Sequence, residues 1–386
     1  MNQATDALPQ KPRGLPPKLC IVVGAAVLFG CPPRPTAPAP PRRVVDTHVH
    51  FGPSDIDRLH QILDEVGIDW VVNLSGTWPG ALLEAQLAVA QSSGRVLVAC
   101  NLPWRAAVRS DFPDIAVRLL QQAKAQGAVA LKIEKMLGLA AIGPQGQLLR
   151  VDDPWLDRIW QQAGALKLPV VIHTGDPKAF WLPIDEHNER KAELLAHPSW
   201  SNYGRPVPSF ESLLTQLMRV VARHPKTTFV SVHFGNNAED PYWVAKQLEK
   251  FDNLYVDIAA RIPELGRHDP RRLRRVFIDH HRRILFGSDL GLGSRGFLML
   301  GSVGDTPSQS SDVGPFFAAH WRWLETAVRS MPNPTPIQGD WTLDGLELPR
   351  HVLEAIYRGN AVRLFGRPDR SRASDAAPET RRSPPR

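Results

Sequence analysis

Two histidines separated by one residue, His48 and His50, end the apolar segment VVDTHVH at residues 44–50. If this segment is a β-strand, alternate side chains point to opposite faces, so the two imidazoles lie on the same face. Two imidazoles at this spacing can bind one metal ion. The same motif also occurs as two unrelated histidines near a loop, so the interpretation depends on what ends the other strands.

Three further residues of metal-ligand type end predicted strands, namely His173, His233 and Asp289. In a parallel barrel the C-terminal ends of the strands converge on one mouth. Histidines and one aspartate make a plausible shell for a divalent metal, with a position left open for water. Each residue alone is more often a core or loop residue, but all of them at strand ends favour a metal site.

Short apolar segments alternate with segments of helical periodicity along the chain. This alternation predicts a (β/α)8 TIM barrel with long βα-loop insertions. A doubly wound sheet is the alternative, but no glycine-rich phosphate loop follows an early strand. The predicted strands cover residues 44–50, 69–74, 95–100, 128–133, 169–173, 228–233, 254–258 and 283–289. The main predicted helices cover residues 56–66, 80–91, 115–126, 210–223, 241–250, 271–281, 316–329 and 351–363. Long loops are expected at residues 174–208 and 291–315.

The composition bounds the class of protein. The chain has 386 residues, 43% hydrophobic and 22% charged, with a formal net charge of +7 at pH 7. These values are typical of a soluble globular protein with a sizeable core. Much of the positive charge lies near the two ends of the chain, and no basic patch interleaved with aromatic residues stands out. A nucleic-acid partner is therefore not predicted.

The first 31 residues are typical of an export signal, with a basic stretch, an apolar run at residues 19–30 and then Cys31. The run is too short to cross a bilayer comfortably. Residues 28–31 (LFGC) resemble the bacterial lipobox, in which the cysteine becomes lipidated. We therefore predict a membrane-anchored lipoprotein in the periplasm or at the cell surface. An ordinary secretory leader and an uncleaved anchor are the alternatives.

The remaining chain divides into three predicted parts: a proline-rich linker at residues 32–42, a barrel domain at residues 43–365 and a disordered basic tail at residues 366–386. Of the three cysteines, Cys20 and Cys31 belong to the leader, so no disulfide can form within the mature domain. Cys100 follows an apolar run and is predicted to be buried and unreactive. The sequence leaves the oligomeric state open, with a homodimer as one option.

Five motifs follow one another along the barrel domain. They are D-x-H-x-H (Asp46, His48, His50), V-V-I-H (His173), V-x-V-H-x-G (His233, Gly235), I-L-F-G-S-D (Asp289) and N-A-x-R-L-F (Asn360, Ala361, Arg363, Leu364, Phe365). In this order they resemble the amidohydrolase superfamily, specifically the amidohydrolase-related branch that includes the aminocarboxymuconate semialdehyde decarboxylase-like enzymes and several lactonases. The set is specific for the superfamily but not for one reaction.

The resemblance implies one divalent metal ion, zinc or alternatively manganese, held by His48, His50, His173 and Asp289. It also implies two catalytic residues. His233 would stand beside the metal and polarise the substrate or transfer a proton, and Asp289 would accept the proton of the attacking water. Such a metal can lower the pKa of bound water from ~15.7 to about 7, which makes hydroxide available at neutral pH.

Lys132 ends the fourth predicted strand. In two-metal members of the superfamily a carboxylated lysine at this place bridges the ions, and a binuclear site is therefore an alternative, with His173 and His233 on the second metal. The branch that the sequence resembles usually works with one metal. A single ion is the favoured prediction, and Lys132 would then contact a substrate carboxylate or a neighbouring acid.

The βα loops are expected to determine substrate specificity. The insertion after strand five contains Asp176, Glu189 and Arg190, and Arg261 follows strand seven. A guanidinium at the mouth of the barrel could bind a substrate carboxylate through two hydrogen bonds. These four residues are the candidates for substrate binding. The alternative is that their charges form salt bridges that shape the loops.

Three functions remain open from the sequence. The first is a metal-dependent hydrolase that uses metal-activated water on a C–O or C–N bond of a small molecule, such as a lactone or amide. The second is a lyase, in which the same site removes carbon dioxide from an unsaturated or aromatic carboxylic acid without oxidation. The third is a non-catalytic surface lipoprotein that keeps the barrel, against which the full set of ligand-type residues argues.

Overall fold

The computed structural model describes residues 43–304 and 306–371. The leader and linker predicted at residues 1–42, and the tail beyond residue 371, lie outside the described residues. Within the described ranges, no helix combines the length and the apolar character that crossing a membrane requires.

Parallel strands form the predicted barrel, each pairing with the next along the chain. The ring closes because the Thr47 amide donates to the Phe286 carbonyl at 3.0 Å and because β9, which follows β8, pairs with β1. The (β/α)8 fold is confirmed. The strands in the described residues are β1 Val44–His50, β2 Ile68–Asn73, β3 Val96–Cys100, β4 Ala130–Ile133, β5 Val170–Ile172, β6 Phe229–Ser231, β7 Leu254–Asp257, β8 Ile284–Leu285, β9 Leu290–Leu292, β10 Leu298–Leu300, β11 Met331–Pro332 and β12 Thr342–Leu343.

Amphipathic helices cover the outside of the barrel. In α1 (Ile56–Val66) the buried residues Leu59, Leu63 and Val66 repeat at helical spacing, and the helix ends where Gly67 adopts a left-handed φ of 75°. The other helices are α2 Ala81–Ser93, α3 Phe112–Gln126, α4 Met136–Leu139, α5 Asp157–Ala165, α6 Lys191–Ala196, α7 Phe210–Arg223, α8 Val232–Gly235, α9 Pro241–Lys250, α10 Ile262–Gly266, α11 Pro270–His280, α12 Ser310–Glu325, α13 Arg350–Glu354 and α14 Asn360–Phe365. Of these, α4 and α8 are single turns that contain residues with non-helical backbone angles, and α8 carries His233 at the mouth of the barrel rather than covering its outside.

Two apolar clusters hold the barrel together. The larger cluster joins the strands to the surrounding helices. The smaller one takes Val45, Val72, Ala130 and Val171, among others, from strands around the ring, and it fills the interior. Because side chains alternate along a strand, Lys132 points to the same side as Ala130. The interior is thus apolar towards the N-terminal ends of the strands and polar at the C-terminal mouth.

Three strands that were predicted to end in a ligand-type residue stop before it. β5, β6 and β8 end shortly before His173, His233 and Asp289, so these residues lie in the turns that follow. The backbone of His233 has a φ of 55° and that of Asp289 a φ of 63°. A strand cannot continue through these left-handed conformations, so the chain turns at each of the two residues, at the mouth of the barrel.

The segment at residues 291–315 was expected to be an irregular loop, and this expectation is wrong. It contains β10, which pairs with β9 in an antiparallel hairpin attached to β1. Helix α12 then begins at Ser310, before Pro315, rather than after it. The apolar triplets of β9 and β10 are short and lie among glycines and serines, so their pairing depends on the edge that β1 offers.

Candidate metal centre

The mouth of the barrel brings His48, His233 and Asp289 together, and one ligand atom of each lies within 4.8 Å of the other two. The Nε2 atom of His48 is 3.5 Å from Oδ1 of Asp289, and Nε2 of His50 is 3.6 Å from the same oxygen. The ring of His173 adjoins that of His233, with 4.5 Å between the centroids. All five residues singled out at the predicted strand ends therefore lie in one cluster.

Hydrogen bonds orient three of these imidazoles. The Nδ1 atom of His48 donates to Asp257 Oδ2 at 2.8 Å, and that of His233 donates to the Ala259 carbonyl at 2.8 Å. The Nδ1 atom of His50 lies 2.9 Å from Ser75 Oγ. In each ring the Nε2 atom is left for a ligand, which is the usual arrangement of metal-binding histidines.

Burial affects the protonation of all four histidines. It is the largest cause that holds the pKa of His48, His50, His173 and His233 well below the usual value. The positive charge of Lys132 lowers the pKa of the first three further. Neutral imidazole is the form that binds a metal. The donor set, imidazole nitrogens with one carboxylate, thus fits a divalent ion such as zinc.

Asp46 holds the turn that carries Asp289. Its carboxylate is buried and accepts hydrogen bonds from the amides of His48 (3.0 Å) and Ser288 (3.1 Å), and from the Ser288 hydroxyl. Burial raises the pKa of Asp46 to about 7, and the bonds from Ser288 and His48 act against this. The Asp46 carboxylate therefore ties β1 to the turn that presents Asp289.

Lys132 lies beside this cluster. It is buried, and its Nζ atom has no hydrogen-bond partner among the described residues. Burial lowers the pKa of Lys132, against the attraction of Asp257 and Asp289. Burial also raises the pKa of Asp289 to about 6, and Lys132 acts in the opposite direction. The roles predicted for this amine, as a metal bridge or as a substrate contact, both remain predictions.

A cavity of about 110 Å³ opens onto the cluster. His173, His233 and Asp289 line it, together with Arg261 and Asp176. The guanidinium of Arg261 has one hydrogen bond in the described residues, from Nη1 to the Ala260 carbonyl at 2.8 Å. Asp176 is paired with Lys135 at 2.7 Å.

A larger cavity of about 640 Å³ lies between α12 and residues 331–337 and is lined by none of the candidate ligands.

The charges of Glu189 and Arg190 are used in salt bridges. Arg190 is fully buried and pairs with Glu193 at 2.7 Å and with Glu264. Glu189 pairs with Arg267 at 2.5 Å. This is the arrangement that the sequence left open as the alternative to substrate binding, although Arg190 also borders the cavity.

Sequence reasoning missed Asp257, the last residue of β7. Its buried carboxylate contacts both His48 and the backbone of His233. The available signal was its position, because an acidic residue at the C-terminal end of a barrel strand faces the mouth. Cys100 is buried as expected, and burial raises its pKa to about 12.

A family model described as Amidohydrolase matches residues 99–367, a span that includes His173, His233 and Asp289 but not His48 or His50. The chain belongs to this amidohydrolase-related family, as its motifs indicated. No curated protein matches the chain.

Among solved structures, an uncharacterised TIM-barrel protein from Bordetella bronchiseptica is 15% identical with a TM-score of 0.50, over 83% of this chain and 98% of that one. A 2,6-dihydroxybenzoate decarboxylase from Rhizobium is 14% identical with a TM-score of 0.47, over 84% and 99%. A probable 2-pyrone-4,6-dicarboxylic acid hydrolase from Acinetobacter baumannii is 15% identical with a TM-score of 0.46, also over 84% and 99%. The first similarity supports the barrel fold alone.

Proposed function

We propose that this protein is a metal-dependent hydrolase that adds water across a C–O or C–N bond of a small molecule, such as a lactone or an amide. One observation carries the proposal. Ligand atoms of His48, His233 and Asp289 lie within 4.8 Å of one another at the mouth of a barrel, where enzymes of this fold have their active sites.

In this proposal His48, His50, His173 and Asp289 hold the metal ion, with His233 beside it. A divalent ion supplies a Lewis acid at such a site and lowers the pKa of bound water to about 7. The carboxylate of Asp289 accepts the proton of the attacking water. The imidazole of His233, whose Nδ1 donates to the Ala259 carbonyl, presents the lone pair of Nε2 to the cavity, where it accepts a proton and passes it on to the leaving group.

The walls of the cavity support an acidic substrate. Arg261 is buried, and most of its N–H groups have no partner in the described residues. A guanidinium binds a carboxylate through two parallel hydrogen bonds. Phe180 and Trp200, which line the same cavity, offer flat apolar surfaces. We propose that the substrate is a small planar molecule with a carboxylate on the Arg261 side.

An acidic substrate also suits the second candidate function, the decarboxylation of an unsaturated or aromatic acid. The observation in its favour is that Arg261, most of whose N–H groups have no partner in the described residues, lines the same cavity as two aromatic side chains. In this reaction the residues at the mouth would hold the acid and protonate the carbon that loses carbon dioxide, without attack by water.

Product analysis in ¹⁸O-labelled water separates the two reactions. The purified full chain, loaded with zinc or manganese, is screened against lactones, amides and carboxylic acids. Hydrolysis places one ¹⁸O atom in the product for each molecule consumed. Carbon dioxide released in equal amount to the substrate consumed, without ¹⁸O in the organic product, would replace the hydrolase with the decarboxylase. Absence of turnover across the panel, together with failure to bind metal, would favour the non-catalytic alternative.

We also propose that the protein is exported and anchored to a membrane through Cys31, on the basis of the leader and the lipobox-like residues 28–31. Fractionation of cells that produce the wild type or Cys31→Ser tests this point. The wild type should sediment with membranes and the variant should be released. Equal distribution of both forms would contradict lipidation.

A further inference from the structure

The carboxylate of Asp257 contacts three parts of the barrel at once. Its Oδ2 atom accepts from Nδ1 of His48 at 2.8 Å. Its Oδ1 atom accepts from the backbone amide of His233 at 2.7 Å and from that of Ala259 at 3.2 Å. The side chain is buried, so bulk solvent does not compete for these bonds. One group therefore links β1 to the turns that follow β6 and β7.

We propose that Asp257 is a positioning residue that keeps the proton of His48 on Nδ1 and fixes the turn of His233, so that both Nε2 atoms face the metal centre. The inference rests on the proposed metal site. A carboxylate is an acceptor only, so the imidazole that faces it must donate. The Nε2 atom of His48, which lies 3.5 Å from Asp289, then has a free lone pair.

The backbone of His233 needs this support. Its φ of 55° is in the left-handed region, which is unfavourable for a residue with a Cβ atom. The bond from its amide to Asp257 holds the turn in that conformation. Asp257 also holds the amide of Ala259, whose carbonyl accepts from Nδ1 of His233. Both the backbone and the ring of His233 thus depend on Asp257.

The substitution Asp257→Asn separates shape from hydrogen-bond chemistry. The Asn Oδ1 atom can keep both backbone donors, and its amide nitrogen must then face Nδ1 of His48. Because two donors cannot bond to each other, His48 must move its proton to Nε2. An imidazole protonated at Nε2 offers no lone pair to a metal at the mouth. The variant therefore keeps the volume of the side chain and loses one ligand.

The test compares wild type, Asp257→Asn and a matched control, Asp152→Asn. Asp152 is also buried but pairs with Arg150 and Arg219 in another part of the chain. We expect Asp257→Asn to bind zinc about 10- to 100-fold more weakly in a chelator competition, with a urea midpoint close to that of Asp152→Asn. The control should bind zinc like the wild type. Unchanged zinc affinity in Asp257→Asn would overturn the proposal. It is the result expected if Asp257 itself carries a proton and does not accept from His48.

A second measurement does not depend on the variant. The ¹⁵N chemical shifts of the histidine side chains in the metal-free wild type report the tautomer of each ring. We expect His48 to be protonated at Nδ1, and protonation at Nε2 would overturn the proposal whether or not Asp257→Asn folds. If the wild type binds no metal, the proposed function fails, while this tautomer still tests the contact between Asp257 and His48.

Discussion

Asp289 and His48 are joined twice, once through the backbone and once through their side chains. The amide of Asp289 donates to the carbonyl of His48 at 3.0 Å, and Oδ1 of Asp289 lies 3.5 Å from Nε2 of His48. The first contact helps to close the barrel between its first and last strands. The second places an imidazole and a carboxylate where one ion can contact both. The same two residues therefore take part in closing the barrel and in forming the site.

The first prediction concerns these two residues. His48→Ala and Asp289→Ala should both lose turnover, because the first removes a metal ligand and the second removes a ligand that also accepts a proton. Metal content should fall in His48→Ala. Activity and metal content are measured together, with His60→Ala as control, since His60 is bonded to Ser93 and lies outside the cluster. Turnover retained in either variant of the cluster would mean that the site is misassigned.

The second prediction concerns Arg261. Arg261→Gln should raise the KM for an acidic substrate by about 10-fold or more, since a hydrogen bond to a charged group contributes roughly 1.5–3 kcal/mol. The effect on an uncharged substrate should be small. Arg267→Gln is the matched control, because Arg267 pairs with Glu189 and does not line the cavity. Equal KM changes in the two variants would contradict a role for Arg261 in carboxylate binding.

The third prediction concerns the buried pair of Arg190 and Glu264. Glu264→Gln leaves part of the Arg190 charge uncompensated in the interior, which should lower the free energy of unfolding by about 3 kcal/mol. Glu189→Gln, at a more exposed pair in the same loop region, should lower it by less than about 1 kcal/mol. Urea unfolding measures both. Similar losses in the two variants would show that the buried pair has no special role.

The fourth prediction concerns pH. Burial lowers the pKa of His320 to about 4, and its bond to the Phe316 carbonyl opposes this shift. Between pH 6.5 and 4 the unfolded chain therefore binds a proton that the folded chain does not, and stability falls as the pH decreases through this range. From these pKa values, His320 lowers the free energy of unfolding by roughly 3 kcal/mol as the pH falls through this range.

His320→Leu should remove this pH-dependent loss, so the free energy of unfolding of the variant should fall less than that of the wild type between pH 6.5 and 4. The measurement is urea unfolding of both proteins at the two pH values. The exposed His351→Leu serves as control and should follow the wild type. A wild type and His320→Leu with the same dependence on pH would contradict the assignment.

Strand β1 shows what the sequence could predict. Its apolar residues are buried, as expected for a strand covered on both sides, and the two histidines at its end face the mouth. Local periodicity and residue type sufficed here, because the partners of each strand are set by the order of the chain. The same reasoning located the region of His173, His233 and Asp289, although their strands end earlier.

The contacts of Asp257 and Arg190 show what could not be predicted. Asp257 bonds to His48, and Arg190 bonds to Glu264, between segments that are far apart in the sequence. Local pattern does not choose between charged residues that could each find several partners. The β9–β10 hairpin was missed for a similar reason, since its short strands depend on pairing with β1.

The metal content of the purified full chain is the most direct test of the central claim. Elemental analysis of the wild type, after zinc or manganese is added and excess ion removed, should find one tightly bound equivalent per chain, and His48→Ala should retain almost none. Two equivalents, with a carbamate carbon detected on Lys132, would replace the single ion with a bridged pair. Well under one equivalent in the wild type, with none recovered on adding either ion, would contradict the metal centre.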